Sequence, residues 1–386
     1  MKVKNLNLVA KMIAGQSPPS TTYNTTGEGL PFFQGKADFQ EKYPNVRNWC
    51  TSEKKKEALP GDILITVRAP VGPVNICNQR AVIGRGISAI RPLKGTHGVY
   101  LYYFLKSKEQ QIAGLGTGST FKAITQDVLG KIQVPLPKFD DQIRIATLLS
   151  RVEALIATRK NNLLLLDEFL KSTFLEMFGN PMKNEKRWDK PELKNNFGEI
   201  STGNTPPRSN ADNYSPAFIE WIKTGNIDQD QMYLTPASEF LSETGLKKAR
   251  TVHDGALLVA CIAGSIESIG RAAIANRKIA FNQQINAIQP HTDINPLFLY
   301  WLFRISKIYI QSFAPKGMKK IITKGNFEKI SMIKPPKDLQ DQFAAIVKKV
   351  EVLKTPYQQN LNELENLYGA LSQKVFKDEL DLSRIP

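Results

Sequence analysis

Cysteine and histidine are scarce in this sequence. It has three cysteines, none in a Cys-x-x-Cys pair, and three histidines (His97, His253 and His291) that have no partner at metal-ligand spacing. We therefore expect neither a disulfide framework nor a metal site.

Long apolar runs are also missing. No segment approaches the ~20 consecutive apolar residues of a membrane helix, and the first residues lack an apolar run of signal-peptide length. These absences predict a cytoplasmic protein that does not associate with membranes.

Catalytic motifs are missing as well. No Gly-x4-Gly-Lys-Ser/Thr phosphate loop occurs, and GLPFFQGKA (29–37) has one residue too many between its glycines. Neither NTPPRS (204–209) nor KPPK (334–337) matches the Asn/Asp-Pro-Pro-aromatic motif of DNA amino-methyltransferases. The Glu-x-Lys in CTSEKKKE (50–57) is better interpreted as a solvated charge run. The sequence thus predicts a binding protein with no catalytic residues and no cofactor, and a nuclease with an unrecognised site is a rival hypothesis.

Positive charge, by contrast, is abundant. The 52 Lys and Arg residues exceed the 36 Asp and Glu residues and give a net charge of +16. Such an excess points to a polyanionic partner, usually nucleic acid, although an indifferent basic surface is the alternative. Hydrophobic residues make up 41% of the chain, which is enough for folded cores. A length of 386 residues suggests two or three domains.

The sequence repeats itself along its whole length. TFKAITQDVLGKIQVPLP and MKKIITKGNFEKISMIKP are similar, and segments upstream of each copy also correspond, in the same order. Such a repeat predicts two domains of similar fold. The paired segments are 13–20 with 200–209, 30–39 with 219–227, 60–76 with 253–274, 97–107 with 294–306, and 120–137 with 318–335.

A long helical pattern follows each copy. Apolar residues at alternating spacings of four and three form a heptad seam in each pattern. The first helix is expected to start at 140–141 and stop at 179–181, and the second to run from about Leu339 to Leu380 with a kink or break at Pro356. We expect the two helices to pack on each other, although each could instead lie on its own domain. The predicted seam residues are Ile145, Leu149, Val152, Ile156, Leu163, Leu166 and Leu170 in the first helix, and Phe343, Ile346, Val350, Leu353, Leu364, Leu367 and Leu371 in the second.

These motifs resemble a known family. The segments VPLPKFDDQIRIATLLSRVEALI (134–156) and LKSTFLEMFGNPMKNEKRW (170–188), with the paired loops GQSPPS and GNTPPRS, resemble the specificity (S) subunits of type I restriction–modification enzymes. The resemblance implies an α+β fold with two similar mixed α/β target-recognition domains, separated by two long antiparallel coiled-coil helices in a pseudo-two-fold internal repeat. The predicted segments are 1–137 for the first domain, 138–180 for the central helix, 181–336 for the second domain and 337–386 for the C-terminal helix.

The resemblance also implies a function. Each domain would read one half of a bipartite target in double-stranded DNA, and the helices would set the spacer and dock two methyltransferase subunits. Restriction/translocase subunits would join the full complex. The alternative is a stand-alone bipartite DNA-binding protein or regulator without methyltransferase partners. One surface for the partner is the charged flank of the first helix, formed by Arg144, Arg151, Glu153, Arg159, Lys160, Asp167 and Glu168.

Candidate DNA contacts fall into two groups. Phosphate contacts are expected where lysines and hydroxyls lie beside glycines, at equivalent points of both copies. Base contacts are expected from Arg, Lys, Asn and Gln residues near strand-like segments and from polar residues of the paired loops. Any one of these could instead be an ordinary surface residue. The phosphate candidates are Ser119, Thr120, Lys122, Lys316, Lys319 and Lys320. The base candidates are Ser17, Ser20, Gln34, Arg68, Arg85, Thr205, Arg208, Lys223, Asn226 and Arg271.

Overall fold

The structure is a computed structural model of the chain. It describes residues 1–118, 122–315, 320–377 and 379–380. The predicted phosphate contacts Ser119, Thr120, Lys316 and Lys319 lie outside the described residues. None of the helices in these ranges combines the length and the apolar character needed to span a membrane.

The chain forms two compact units. The first unit consists of Met1–Lys160 together with Gln359–Pro386, and the second of Asn161–Gln358. Each unit therefore contains one of the two sequence copies and a part of each long helix. The predicted limits of the recognition domains stay a prediction.

The first copy folds into short strands and helices. They form an antiparallel sheet in the order β2-β10-β7-β8, a mixed sheet in the order β3-β5-β4-β9-β6, and the pair β1-β11. The strands are β1 (Lys2–Asn5), β2 (Ala10–Ala14), β3 (Tyr23–Asn24), β4 (Leu30–Phe33), β5 (Trp49–Cys50), β6 (Glu57–Ala58), β7 (Ile63–Thr66), β8 (Val74–Ile76), β9 (Ala81–Ile83), β10 (Ile87–Pro92) and β11 (Gln133–Leu136). The helices are α1 (Leu6–Val9), α2 (Gly98–Ser107), α3 (Glu109–Gly114), α4 (Gln126–Gly130) and the long α5 (Phe139–Phe178).

The second copy has the same order of principal elements. Its sheets run β12-β20-β16-β18 and β14-β13-β19-β15, with the additional pair β17-β21. The strands are β12 (Gly198–Thr202), β13 (Ile219–Ile222), β14 (Phe240–Leu241), β15 (Thr251–Val252), β16 (Leu257–Ala260), β17 (Ile262–Ala263), β18 (Ala272–Ile274), β19 (Ile279–Phe281), β20 (Ile285–Pro290) and β21 (Lys320–Ile321). The helices are α6 (Glu243–Leu246), α7 (Pro296–Ile305), α8 (Lys307–Gln311), α9 (Lys324–Glu328) and the long α10 (Lys337–Lys374).

The copies share the register of their strands as well as the order. Ser88 of β10 lies opposite Ala14 of β2, and the corresponding Asn286 of β20 lies opposite Thr202 of β12. The parallel pairs β4-β9 and β13-β19 also match. A slip of one residue would turn every side chain to the other face of the sheet. The shared register therefore places corresponding side chains on the same face in both copies, and the predicted α+β fold of two similar domains with two long helices is confirmed.

A helix that is apolar except near its C-terminal end lies at the centre of each unit. Helix α7 begins at Pro296, whose missing N–H costs nothing in the first turn, and the Asn295 side chain accepts a hydrogen bond from the Leu297 N–H at 2.9 Å. Seven of its residues are buried. A helix that is apolar on all sides must be covered on all sides. In the second unit the cover comes from the β16-β18-β20 face and from parts of both long helices.

The observed ends of α5 agree closely with the ends predicted from the sequence, and those of α10 agree less closely. Helix α5 begins one residue before Asp140 and ends directly before Gly179, which has a φ of +75°. Helix α10 ends at Lys374, before the predicted Leu380. It continues through Pro356, so of the predicted kink or break the break is absent. Pro356 provides no N–H for the carbonyl of Val352 four residues earlier. Val352 is 72% exposed, so water can hydrogen-bond that carbonyl.

In the first unit, parts of the two long helices pack in opposite directions. Ile145, near the start of α5, belongs to the same buried cluster as Val375, just after the end of α10. Further along α5, Lys160 forms an ion pair with Glu365 at 2.9 Å. Residue numbers thus rise along one helix as they fall along the other.

The second unit shows the same antiparallel order. Asp167 of α5 accepts a hydrogen bond from Lys354 of α10 at 2.5 Å. Later in α5, the Phe174 ring packs edge-on against the ring of Phe343, with centroids 5.3 Å apart. The predicted mutual packing of the helices therefore occurs within each unit.

The buried stripe of α10 departs from the predicted seam at alternate positions. Leu353 and Leu367 are 54% and 47% exposed, so their predicted packing role is wrong, whereas Ile346 is half-buried against the core. Their neighbours Lys354 and Tyr368 point inward instead. The sequence pattern favoured leucine at these points, but Lys354 gains a carboxylate partner on the facing helix. The observed stripe is Phe343, Val347, Val350, Lys354, Tyr357, Leu361, Leu364, Tyr368, Leu371 and Val375.

The stripe of α5 follows the predicted positions. Ile145, Leu149, Val152 and Leu170 are buried. The remaining predicted seam residues, Ile156, Leu163 and Leu166, are half-buried.

Candidate DNA interface

In each unit a Pro-Pro loop is fixed against the ends of two strands. Gly15 and Gly203 donate their backbone N–H groups to β10 and β20, at N···O distances of 3.0 and 3.1 Å. A Cβ at Gly15 would lie 2.2 Å from the carbonyl oxygen of Gly84, and one at Gly203 would lie 2.2 Å from that of Asn282. Only glycine allows this approach. The loops GQSPPS and GNTPPR consequently begin at the same place in the two copies.

An aromatic pair supports each loop. In the first unit Tyr23 packs on Phe32 with ring centroids 4.6 Å apart, and in the second unit Tyr214 packs on Trp221 at 5.9 Å. The hydroxyl of each tyrosine donates a hydrogen bond to the carbonyl of the first proline of its loop, at 2.6 Å in both units. The Pro-Pro turn is thus held in the same way twice.

Two cations lie over the aromatic pair of the second unit, and a carboxylate joins them. Glu239 accepts hydrogen bonds from Arg208, at 2.8 Å, and from Lys223. The Arg208 guanidinium lies 5.1 Å from the ring centre of Tyr214 and 5.2 Å from that of Trp221, and the Lys223 ammonium lies 5.0 Å from the latter. The hydrogen bonds from Lys223 and Arg208 lower the pKa of Glu239. We call Arg208, Lys223 and Glu239 the charged cluster.

The corresponding positions of the first unit carry uncharged side chains. Ser20 occupies the loop position of the arginine, and Gln34 follows β4 as the lysine follows β13. Asn48 corresponds to Glu239, because the aromatic residue of the adjacent strand donates its N–H to Asn48 O at 2.8 Å and to Glu239 O at 3.0 Å. The same backbone therefore presents a hydroxyl and two amides in one unit, and two cations and a carboxylate in the other.

A further loop brings Arg85 to the first Pro-Pro loop. Its backbone N–H donates to the Ser17 hydroxyl at 3.4 Å. Burial raises the pKa of Tyr23, and the positive charge of the nearby Arg85 opposes this rise. In the second unit the same loop position carries Gln283, which accepts a hydrogen bond from Thr205. The structure therefore joins four predicted base contacts of the first unit, Ser17, Ser20, Gln34 and Arg85, into one region.

Lys122 and Lys320 lie at equivalent places on a short ribbon. In the first unit the ribbon pairs Arg68 with Ala123, and in the second it pairs β17 with β21. Within the described ranges, neither lysine has a carboxylate at ion-pair distance. Arg68 thus lies with the phosphate candidate Lys122 on the ribbon.

Two predicted base contacts have other surroundings, although Asn226 lies next to Lys223 of the charged cluster. The side-chain oxygen of Asn226 accepts the N–H of Lys223 at 3.0 Å, and its amide group donates to the Pro236 carbonyl at 2.9 Å, so it holds a turn together. Arg271 lines a pocket beside α7 together with Lys307, and its Nε is buried without a partner among the described residues. The structure does not bring either one to the Pro-Pro loop.

Several residues of these regions were not predicted. Asn48 and Glu239 were missed, because the segments beside them have no visible similarity between the copies. Gln283 was missed although ISAIRP (87–92) and INAIQP (285–290), which follow Arg85 and Gln283 closely, are similar. The tyrosines Tyr23 and Tyr214 could have been found, since each follows its Pro-Pro loop within a few residues.

The charged flank predicted on α5 is partly turned inward. Arg159 donates a hydrogen bond to Asn360 at 2.7 Å, and Lys160, Glu153 and Asp167 also pair within their own units. Arg144, Arg151, Lys160 and Glu168 remain exposed, and large apolar side chains of the two long helices are exposed as well. In the second unit these are Leu164, Leu165 and Phe169 of α5, and Val352 and Leu353 of α10, each more than half exposed.

A metal centre finds no support in the part of the chain that the structure describes. No group of three His, Cys, Asp or Glu side chains there could hold a metal ion.

Comparison with known proteins gives one consistent result. The family model described as "Type I restriction modification DNA specificity domain" matches residues 1–165 and 185–366. The "Type I restriction enzyme MjaIX specificity subunit" of Methanocaldococcus jannaschii is 23% identical over 99% of this chain and 94% of its own length. The "Putative type I restriction enzyme MjaX specificity subunit" of the same organism is 44% identical, but its match spans 39% of this chain and 35% of that protein.

Solved structures share the fold over the whole chain. The S subunit of a type I restriction–modification system from M. genitalium superposes with a TM-score of 0.62 at 14% identity, covering 97% of this chain and 96% of its own. A structure described by its role in complex assembly and conformational transition of the type I R-M system gives a TM-score of 0.57 at 15% identity, covering 98% of both chains.

Proposed function

This chain belongs to the type I restriction–modification DNA specificity family and is a subunit that recognises DNA sequence, and we propose that each unit reads one half of a bipartite target. The observation that carries the proposal is the pair of Pro-Pro loops. They are fixed by equivalent glycines on sheets of the same register, yet they present different side chains. Two equal scaffolds with unequal polar groups suit two different half-sites.

Each unit contacts DNA at two places. One place contacts phosphates and positions the duplex, and the other contacts base edges and reads the sequence. The ribbons with Lys122 and Lys320 contact phosphates, because lysines without acidic neighbours attract DNA of any sequence. The Pro-Pro loops and their neighbouring strands contact base edges, because they carry the groups that differ between the units. Ser119, Thr120, Lys316 and Lys319 would extend the phosphate surface.

The long helices set the spacer and dock the methyltransferase subunits. Exposed apolar residues at one part of a surface mark a protein–protein contact. Leu164, Leu165 and Phe169 form such a set on α5. Two methyltransferase subunits would bind the helices, and restriction/translocase subunits would complete the assembly. Catalysis would belong to these partners, in the cytoplasm, and not to this chain.

The test is a selection from a randomised duplex library. The full-length chain, with any subunits that co-purify, should retain DNA with two fixed blocks separated by unspecified bases. A heptad inserted at 157–165, with a matched insertion in α10, should leave both blocks unchanged. At about 1.5 Å per residue the insertion adds ~10 Å, or roughly three base pairs of spacer. A single continuous motif, or an unchanged spacer, would contradict the proposal.

A further inference from the structure

The second unit contains a cluster whose chemistry selects a particular base pair. We propose that the charged cluster, Arg208, Lys223 and Glu239, is the base-reading site of the second half-site and that it reads a G·C pair. The equivalent positions Ser20, Gln34 and Asn48 then read a different pair in the first half-site. This inference rests on the proposed function and gives it a chemical specificity.

The position of the carboxylate argues against a phosphate contact. Glu239 lies between the two cations and accepts a hydrogen bond from each. A phosphate brought to this point would meet a negative charge at the centre of the cluster. Lys122 and Lys320, in contrast, have no acidic partner within the described ranges. The lysines of the ribbons therefore suit phosphates, and the cluster suits a partner that offers both acceptors and donors.

The edge of a G·C pair is such a partner. In the major groove guanine presents the acceptors O6 and N7, and cytosine presents the N4 amino group as a donor. Arg208 or Lys223 would donate to guanine, and Glu239 would accept from cytosine. Adenine instead pairs best with the amide of Asn or Gln, which is the chemistry of Gln34 and Asn48.

The cluster is both exposed and held in place. The Arg208 side chain is 57% exposed, so its remaining donors are accessible. Its guanidinium also stacks near Tyr214 and Trp221, and the ring pair is itself fixed to the Pro-Pro loop. A guanidinium held by rings and a carboxylate loses less conformational freedom when it binds. The alternative is an ion-pair network that only stabilises the loop.

Two variants separate base reading from charge and from stability. Arg208→Lys keeps the positive charge but loses the planar fork that binds guanine at two points. Glu239→Gln keeps the shape but removes the acceptor charge. Lys278→Ala is the matched control, since Lys278 is an exposed cation of the same unit. It directly precedes β19, whereas Gln283, which contacts the Pro-Pro loop, follows the other end of that strand. Each full-length variant goes through the randomised duplex selection, and its thermal unfolding is compared with that of the parent chain.

We expect Arg208→Lys to lower discrimination at one G·C position of one half-site, roughly tenfold to hundredfold. The other half-site should not change, and Lys278→Ala should keep the parent motif. Glu239→Gln should lower discrimination in the same half-site while raising affinity for unrelated DNA, because two cations lose their internal partner. The motif change should occur even where thermal unfolding is unchanged.

A transplant gives an independent readout. Ser20→Arg, Gln34→Lys and Asn48→Glu together place the charged cluster on the first scaffold, and the first half-site should gain a G·C preference. An unchanged motif in Arg208→Lys and Glu239→Gln, or an equal loss in both half-sites, would overturn the inference. A parent chain that selects no two-block motif would instead refute the proposed function, and the inference with it.

Discussion

In the first unit the loop that contacts β10 ends in Ser20, and in the second unit the loop that contacts β20 ends in Arg208. Both loops start from a glycine at which a Cβ would clash with a backbone carbonyl, and in each unit a tyrosine hydroxyl holds the loop by a hydrogen bond of 2.6 Å. The backbone is therefore shared while the polar side chains are not. This difference teaches that the fold fixes where these polar groups are presented and leaves their chemistry to a few exposed positions.

The units differ also in how the central helix is joined to the long helices. In the first unit Lys106 of α2 donates a hydrogen bond to Glu153 of α5 at 2.7 Å. Burial alone would raise the pKa of Glu153, but the hydrogen bond and charge of Lys106 lower it below its ordinary value. In the second unit Arg304 of α7 pairs with Asp167 at 3.0 Å, and Asp167 also binds Lys354. Equivalent basic residues thus find acids at different points of α5.

More aromatic rings pack together at the long helices in the second unit than in the first. Removing one of them gives the largest predicted change in the free energy of unfolding. Phe174 is fully buried among three further rings. Phe174→Ala should lower the free energy of unfolding by about 3–5 kcal/mol, because it leaves a cavity that the rings cannot fill. Denaturant unfolding measures the loss.

The matched control is Phe169→Ala on the same helix. Phe169 is 53% exposed, so its removal should change the free energy of unfolding by less than about 0.5 kcal/mol. Phe376→Ala in the first unit should lie between the two, because Phe376 is half-buried against Tyr100 and Phe104. If the three variants lose the same free energy of unfolding, the ring cluster around Phe174 does not stabilise the second unit more than Phe376 stabilises the first.

The glycines of the Pro-Pro loops should matter equally in both units. Gly15→Ala and Gly203→Ala each bring a methyl group into a backbone carbonyl, and each should lower the free energy of unfolding by about 2–3 kcal/mol. Gly225→Ala is the control, since a Cβ there meets nothing within 4 Å. If only one of the two loop variants is destabilised, the loops are not equivalent.

The smallest predicted effect is a change in DNA affinity on substitution of the ribbon lysines. Lys122→Ala and Lys320→Ala should each weaken binding to all duplexes by a similar factor, and each should reduce the slope of affinity against salt by about one unit. Binding at several salt concentrations, with specific and unrelated duplexes, measures both quantities. A changed sequence preference in either variant would assign the ribbon to base reading, against the proposed division.

The resemblance to type I specificity subunits, inferred from the sequence, is confirmed, as are the repeated fold and the role in DNA recognition. The heptad pattern predicted the inward positions of α5. In α10 it failed at alternate points, because a pattern of apolar residues does not foresee that Lys354 turns inward to meet Asp167. Of the kink or break expected at Pro356, the break does not occur, because an exposed helix can leave one carbonyl to water.

By itself the sequence determined that the chain has two similar halves, each followed by a long helix, because periodicity and repetition are properties of residue order. Only the tertiary structure decided that Asn48 corresponds to Glu239, and that Arg208, Lys223 and Glu239 meet. The three residues of the cluster come from separate elements, and the segments around Asn48 and Glu239 have no matching sequence, so backbone hydrogen bonding between strands, not residue identity, shows that these two correspond.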